Sequence, residues 1–308
     1  MPSVSVIMST YKEEEKYLRA AIESILNQTY KDFEFIIILD NPENNLHISI
    51  IQEYAEHDKR VNFHINEKNL GLTKSLNKGL SLAKGRYICR MDADDISEND
   101  RIKIQKKYLE ENNYDLIGGI TQIIDENNNA IYSIKKVPTD FSNIKKIIKY
   151  NQCIAHPTWF GKKEIFDNLN GYREIPLCED YDFTLRAILK GYTISNVKEQ
   201  VLKYRMTSNS ISRNNLLEQF LYSKYITKCY CKKKIADINL AKKYVEKNST
   251  ENKNIRYSKA NALFNSALFS LENHNYLEVL IKCIKILFVS HYYLEKIYRL
   301  VKIQINAK

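Results

Sequence analysis

The chain has 308 residues, 44% hydrophobic and 27% charged, enough apolar material for one large core or for one domain with a smaller companion. No apolar run approaches the ~20 residues of a membrane-crossing helix, and Met1-Pro2-Ser3 runs straight into Val4–Met8, too short and too polar at its edges for an export segment. The net charge of +10 is confined to the last third: residues 214–308 hold 17 Lys and Arg against 7 Asp and Glu, so residues 1–213 are neutral, whereas a nucleic-acid-binding chain spreads basic residues over its reading domain.

In chain order, Val4–Ser9 reads as a short strand, and Tyr17, Leu18, Ala21, Ile22, Ile25 and Leu26 then recur at helical spacing. Phe33–Leu39 is a continuous apolar run ending in Asp40-Asn41-Pro42, a strand followed by a turn. A helix near Ile48–Glu56 leads to a strand at Val61–Ile65, an amphipathic helix at Leu72–Ala83 and a strand at Tyr87–Met91. Ile102–Leu109 is helical again and Leu116–Ile124 strand-like. Apolar strands separated by helices predict an α/β fold with a mostly parallel sheet covered on both faces. Beyond about Asn214 helical periodicity takes over, which predicts a domain of residues 1–213 and a basic α-helical module of residues 214–308. In that module Leu277, Leu280, Ile281, Ile284, Leu287 and Phe288 form one apolar stripe with Lys282 and Lys285 off it.

Ligands of parallel sheets bind beyond the carboxyl ends of the strands. Three polar clusters fall at such ends: Thr10-Tyr11, Asp40, and the run Asp92-Ala93-Asp94-Asp95. Like charges this close repel each other, and two readings account for them. Ser97 with Asp100 three residues on could form a capping box, with the acids favouring the start of the next helix. Alternatively Asp92 and Asp94 hold a cation whose remaining positions go to phosphate oxygens and water, as Mg²⁺ commonly binds. The six cysteines, at 89, 153, 178, 229, 231 and 283, show no metal-ligand spacing, and reduced thiols of a cytoplasmic protein are expected.

Five blocks carry a resemblance: Ser5–Glu14, Ile25–Glu34, Asn69-Leu70-Gly71-Leu72, Met91–Asp95 and Glu179-Asp180-Tyr181-Asp182. In order and spacing they resemble the family 2 glycosyltransferases, GT-A-fold enzymes that build polysaccharides, over about residues 3–213. The resemblance implies an inverting, metal-dependent enzyme that moves a hexose or N-acetylhexosamine from a UDP-sugar to a glycan or lipid-linked glycan. It implies a nucleotide-sugar site of Thr10, Tyr11, Glu13, Asp40, Asn69, Gly71, Lys74, Asp92, Ala93 and Asp94. Within it Tyr11 would stack on the base, Asp40 would accept the uracil N–H, Asp92 would lie near the ribose, and Asp94 would bind Mn²⁺ or Mg²⁺. By the same resemblance Asp180 is the general base that an unreactive sugar hydroxyl requires, and His156, Trp159 and Glu179 line the substrate pocket.

Each of these residues has a plainer role open to it. Tyr11 could pack as a strand-end aromatic, Asp40 could form the turn before Asn-Pro, and Glu179 and Asp180 could favour a helix start by charge alone. Trp159 could be an acceptor platform or core. The chain also departs from the family pattern: one acid, Asp40, stands where two are usual, and Thr207 stands where a histidine is common, which leaves Arg205 and Ser210 without an assigned role. Other nucleotide-dependent transfer, such as nucleotidyl transfer, and a non-catalytic scaffold are the competing functions. The basic tail is expected to dock on an anionic inner leaflet, to pair protomers, or to pack its stripe as core.

Overall fold

The protein is described by a computed structural model covering residues 1–134, 136–206 and 215–306. It divides into two compact units, the first made of Met1–Lys145, Gln152–Glu174 and Glu179–Thr207, the second of Lys146–Asn151, Ile175–Cys178 and Ser208–Lys308. The expected boundary at 213, with Thr207 and Ser210, lies outside the described residues.

The first unit opens with β1 (Val4–Thr10), α1 (Glu15–Leu26), β2 (Phe33–Leu39), α2 (Asn45–His57), β3 (Val61–Ile65), α3 (Leu72–Leu82) and β4 (Tyr87–Asp92). It continues with β5 (Ile96–Ser97), α4 (Arg101–Glu111), β6 (Leu116–Ile124), β7 (Ala130–Ser133) and α5 (Phe141–Ile147), whose end passes into the second unit. A 3₁₀ turn at His156–Thr158 precedes β8 (Phe160–Lys162), α6 (Lys163–Asn168), α7 (Glu179–Leu189) and β9 (Ile194–Arg205). Eight strands form one path, β3-β2-β1-β4-β8-β6-β9-β5, with β7 paired to β6. The pairs β1–β2, β2–β3, β1–β4 and β6–β9 are parallel, and β8 joins the two parallel blocks by running antiparallel to both β4 and β6.

All of β2 is buried, because helices cover both faces of its part of the sheet. On one face Val6, Met8, Phe35, Ile37 and Cys89 pack with Leu18, Ala21, Ile22 and Ile25 of α1; each such aliphatic side chain stabilises by roughly 1.5–3 kcal/mol. On the other, α3 lies so close to the sheet that a Cβ at Gly79 would stand 2.5 Å from Ile7 Cγ2.

The register sets the site. Thr10 pairs with Leu39 and Ser9 with Asp92, so the ends of β1, β2 and β4 lie side by side. The capping box open to Ser97 and Asp100 does not form. Ser97 belongs to β5, paired with Leu202, and its N–H donates to Ser24 Oγ at 3.0 Å. Asp100 precedes α4 without a side-chain cap bond and instead accepts from Thr29 Oγ1 at 2.6 Å. Sheet pairing has taken the residue that a local capping pattern would use.

The second unit holds α8 (Leu216–Cys231), α9 (Ile238–Asn248), α10 (Glu251–Glu272), α11 (Tyr276–Val289) and α12 (His291–Asn306). Its interior contains Leu217, Phe220, Leu221, Val245, Tyr257 and Tyr293. Helix α11 buries only Ile286. The six residues of its stripe are all exposed, from 43% at Ile281 to 78% at Phe288, so the stripe is not core.

Candidate active site

At the end of β1, Thr10 Oγ1 lies 3.1 Å from His47 Nδ1 and donates to Glu13 Oε2. That carboxylate also accepts the Tyr11 N–H at 2.8 Å, and His47 Nε2 is 2.8 Å from Glu13 O. The turn after β1 is therefore closed on itself, and Tyr11 is left 37% exposed, a ring available for stacking.

Asp40 is 4% exposed, and its carboxylate is mostly occupied. Oδ1 accepts Asn66 Nδ2 at 2.7 Å and the Leu70 N–H at 2.8 Å, and Oδ2 accepts the Gly71 N–H at 2.8 Å. With two acceptor positions on each oxygen, one remains for a base. Asp40 does not form the turn before Pro42; Asn41 does, its Oδ1 accepting the Glu43 N–H at 3.3 Å. Gly71, at φ 85°, occupies the left-handed region that only glycine enters without strain. Asn69 Oδ1 also accepts the Gly71 N–H, at 3.0 Å. Lys74 is a half-exposed cation 3.6 Å from Glu174 Oε2.

The end of β4 concentrates charge. Arg90, 2% exposed, has its Nη1 paired with Asp92 Oδ1, while its Nε finds no hydrogen-bond partner among the described residues. Burial works against the charged guanidinium, but Asp92, Tyr172 and Asp95 more than offset it. Ala93 is buried. Asp94 is pushed up to about 7, by burial first and then by the charges of Asp92 and Glu13. Asp95 is fully buried; Oδ1 accepts the Arg205 N–H at 2.8 Å, and Oδ2 has no hydrogen-bond partner among the described residues. Burial, then Asp92 and Asp94, push it well above the usual carboxylate range. The Arg205 guanidinium donates to Asp94 O through Nε and to Asp125 O through Nη1, 2.8 and 2.9 Å away.

Helix α7 presents the second set of acids. Its start is fixed by Asp182, which accepts Arg173 Nε at 3.0 Å and Arg186 Nε at 2.8 Å, while Arg186 also donates to Leu169 O and Gly171 O. Beside this anchor Glu179 is raised to about 7 by burial and by Asp180. Asp180 is raised by burial although it accepts the Tyr181 N–H at 2.7 Å and Gln152 Nε2 at 3.4 Å.

His156 Nε2 lies 2.9 Å from Tyr172 Oη, and burial, then the charge of Arg90, hold the ring well below its ordinary pKa and so neutral. Trp159 does not form an acceptor platform. It is fully buried, its indole N–H donates to Ile154 O at 3.2 Å, and it packs on Phe183 at 5.3 Å and Tyr172 at 6.0 Å. The aromatic interior behind α7 took it.

Arg90, which the sequence reading passed over, acts on Asp94, Asp95, Glu179, Asp180 and His156 alike. A visible signal existed: a guanidinium inside the otherwise apolar strand Tyr87-Ile88-Cys89-Arg90-Met91 needs a buried partner. Tyr172 and His47 carried no signal, since each depends on contacts distant in sequence. For a cation, the fit is of a particular kind. Among the described residues no three His, Cys, Asp or Glu side chains form a ready cage. Yet Asp92, paired with the Arg90 guanidinium, and Asp94, pushed up to about 7, supply hard oxygen donors, and Asp95 Oδ2, next in the chain, has no hydrogen-bond partner among the described residues. Such a set suits an ion that takes its remaining ligands from phosphates and water.

The family model described as Glycosyl transferase family 2 matches residues 5–169. The chain belongs to glycosyl transferase family 2. It is 42% identical over 234 residues to an uncharacterized glycosyltransferase of Methanocaldococcus jannaschii, covering 76% of this chain and 81% of the relative. It is 33% identical over 235 residues to the O-antigen biosynthesis glycosyltransferase WbnJ of Escherichia coli, covering 73% and 91%. The structure of S. aureus TarS 1–349 in complex with UDP-GlcNAc superposes with a TM-score of 0.60 at 19% identity, over 79% of this chain and 70% of that one, a likeness of fold. The family 2 chain is thus a glycosyltransferase with the expected GT-A architecture, and nucleotidyl transfer and a non-catalytic scaffold are set aside.

Proposed function

We propose that this enzyme transfers a hexose or N-acetylhexosamine from a UDP-sugar, with inversion, to a glycan or lipid-linked glycan in surface polysaccharide synthesis. The observation that carries the reading is the pairing of two acid sets in one unit, Asp92 and Asp94 at the end of β4, Glu179 and Asp180 at the start of α7, with Arg90 acting on both. Support for the donor comes from the UDP-GlcNAc complex of TarS, and for the pathway from the O-antigen role in WbnJ's name. Six cysteines, none of them in a disulfide among the described residues, support a cytoplasmic location.

In this reading Tyr11 stacks on the base and Asp40 offers it one acceptor position while holding the Asn69–Gly71 loop. Lys74, at the start of α3 after that loop, meets phosphate in exchange for its exposed pairing with Glu174. Asp94, with Asp92 beside it and near the ribose, would hold a divalent cation, which would neutralise charge on the departing diphosphate. Asp180 accepts the proton of the acceptor hydroxyl as its oxygen bonds to the anomeric carbon and the bond from that carbon to the β-phosphate oxygen breaks. Burial of Asp180 makes it a stronger base than an exposed carboxylate. His156, neutral, is a hydrogen-bonding partner for sugar hydroxyls. The test is UDP release from a panel of nucleotide sugars, with and without Mn²⁺ and with oligosaccharide acceptors. Release from a UDP-hexose or UDP-N-acetylhexosamine that requires Mn²⁺ is expected; turnover only with non-uridine donors, or no effect of metal, overturns the donor or the metal assignment.

A further inference from the structure

We infer that the second unit docks on an anionic lipid surface through the apolar face of α11, independently of the transfer reaction. The face is built from one helix. Leu277, Leu280, Ile281, Ile284, Leu287 and Phe288 project outward, while Ile286 on the far side is buried. Lys282, which could have interrupted the apolar surface, is drawn inward, its Nζ donating to Ser270 Oγ and Glu278 Oε2, both at 2.7 Å. At the neighbouring end of α10, Leu268 and Phe269 extend the exposed apolar surface, Phe269 at 67%. At the other end of α11, Arg256 Nε donates to Val289 O at 2.6 Å and Nη2 to Phe288 O at 3.1 Å. A cation is thereby held beside the last exposed aromatic, and Lys285 is exposed along the margin.

An exposed apolar patch of this extent on a folded unit marks an interaction surface. Charge and length decide its occupant. Residues 214–308 carry the chain's entire +10 excess, so pairing two copies through this unit would bring two strongly cationic bodies together, whereas an anionic bilayer attracts each one. Every Lys or Arg near such a surface strengthens binding about fivefold. With 14 residues, α11 is about 21 Å long, short of the ~30 Å hydrocarbon core, and among the described residues no helix is long and apolar enough to cross a membrane. A short helix with one apolar face and cationic margins lies in the plane of the interface, its apolar side chains sunk among the headgroups.

The test is flotation of the full chain with vesicles of phosphatidylcholine alone or with about one third phosphatidylglycerol, at low and high salt and without nucleotide sugar. Binding is expected only to the anionic vesicles, weakened at least tenfold by 0.5 M NaCl, and weakened about tenfold or more by Leu280→Glu with Leu287→Glu. Both positions are exposed, so circular dichroism and UDP release of the double variant should match the parent. No binding to anionic vesicles, equal binding to neutral ones, or binding unaffected by the double substitution overturns the inference. So does sedimentation showing a dimer that the same substitutions dissociate, since the face then belongs to a second copy.

Discussion

The Asp40→Asn substitution separates a residue that holds a loop from one that reads a base. The side chain keeps its shape, but one acceptor oxygen becomes an NH₂ donor. If the nitrogen takes the Oδ1 position, it meets both Asn66 Nδ2 and the Leu70 N–H, now 2.7 and 2.8 Å from that oxygen. If it takes the Oδ2 position, it meets only the Gly71 N–H, now 2.8 Å away, and that N–H retains Asn69 Oδ1 at 3.0 Å. The second arrangement costs less: one hydrogen bond to a charged group is lost, worth ~1.5–3 kcal/mol, with Asn69 recovering part of it. A local destabilisation of ~2 kcal/mol corresponds to about a 30-fold change in an opening equilibrium. Amide hydrogen exchange of the nucleotide-free protein reads it directly. The Leu70 and Gly71 amides should exchange about 30-fold faster in the variant, with Ile37 in the buried β2 strand as the unchanged control, and UDP binding measured by calorimetry should weaken in parallel. Unchanged exchange at both amides together with weakened UDP binding would refute the reasoning, because Asp40 would then serve the base directly and its loop bonds would be incidental.

Asp94→Asn should weaken UDP–Mn²⁺ binding along with turnover, whereas Asp180→Asn should leave that binding near native and lower transfer by ~10²–10⁴-fold, the usual reach of a general base; calorimetry beside a transfer assay distinguishes them. Because Asp94 is held at about 7, Mn²⁺ must displace a proton below that pH, so affinity for the metal should fall about tenfold per pH unit as pH drops below 7. The linkage has the opposite sign for the metal-free protein. A carboxyl raised from 3.8 to about 7 contributes most to stability at low pH and loses that contribution as pH rises through this window. The thermal midpoint near pH 8 should therefore gain more from Mn²⁺ than the midpoint near pH 5, and an equal gain at both would count against Asp94 as a ligand. Trp159→Ala should lower stability by ~3–5 kcal/mol, as expected for a large buried aromatic. Urea unfolding measures this, and a change below ~0.5 kcal/mol with a raised acceptor KM would return Trp159 to the pocket.

Local pattern alone determined the strands β2, β3 and β6 to the residue, since strand-length stretches rich in β-branched and aromatic residues lie between polar turns there. It also determined that polar residues follow β1, β2 and β4, and that Glu179 and Asp180 stand where a helix begins. The tertiary structure decided what those residues do, because their partners are remote in the chain. Asp40 meets Leu70 and Gly71 across 30 and 31 positions, and Asp95 meets Arg205 across 110. Ser97 pairs with β9 rather than capping α4, and the only tryptophan vanishes behind Phe183 and Tyr172. Arg90 was legible as an anomaly in an apolar strand, yet its influence on acids near residue 180 required the fold. The α11 stripe shows the same division: its 3.6-residue period specified a helix with one apolar face, but periodicity carries no information about what a face meets, and the packing of α11 through Ile286 turned that face outward.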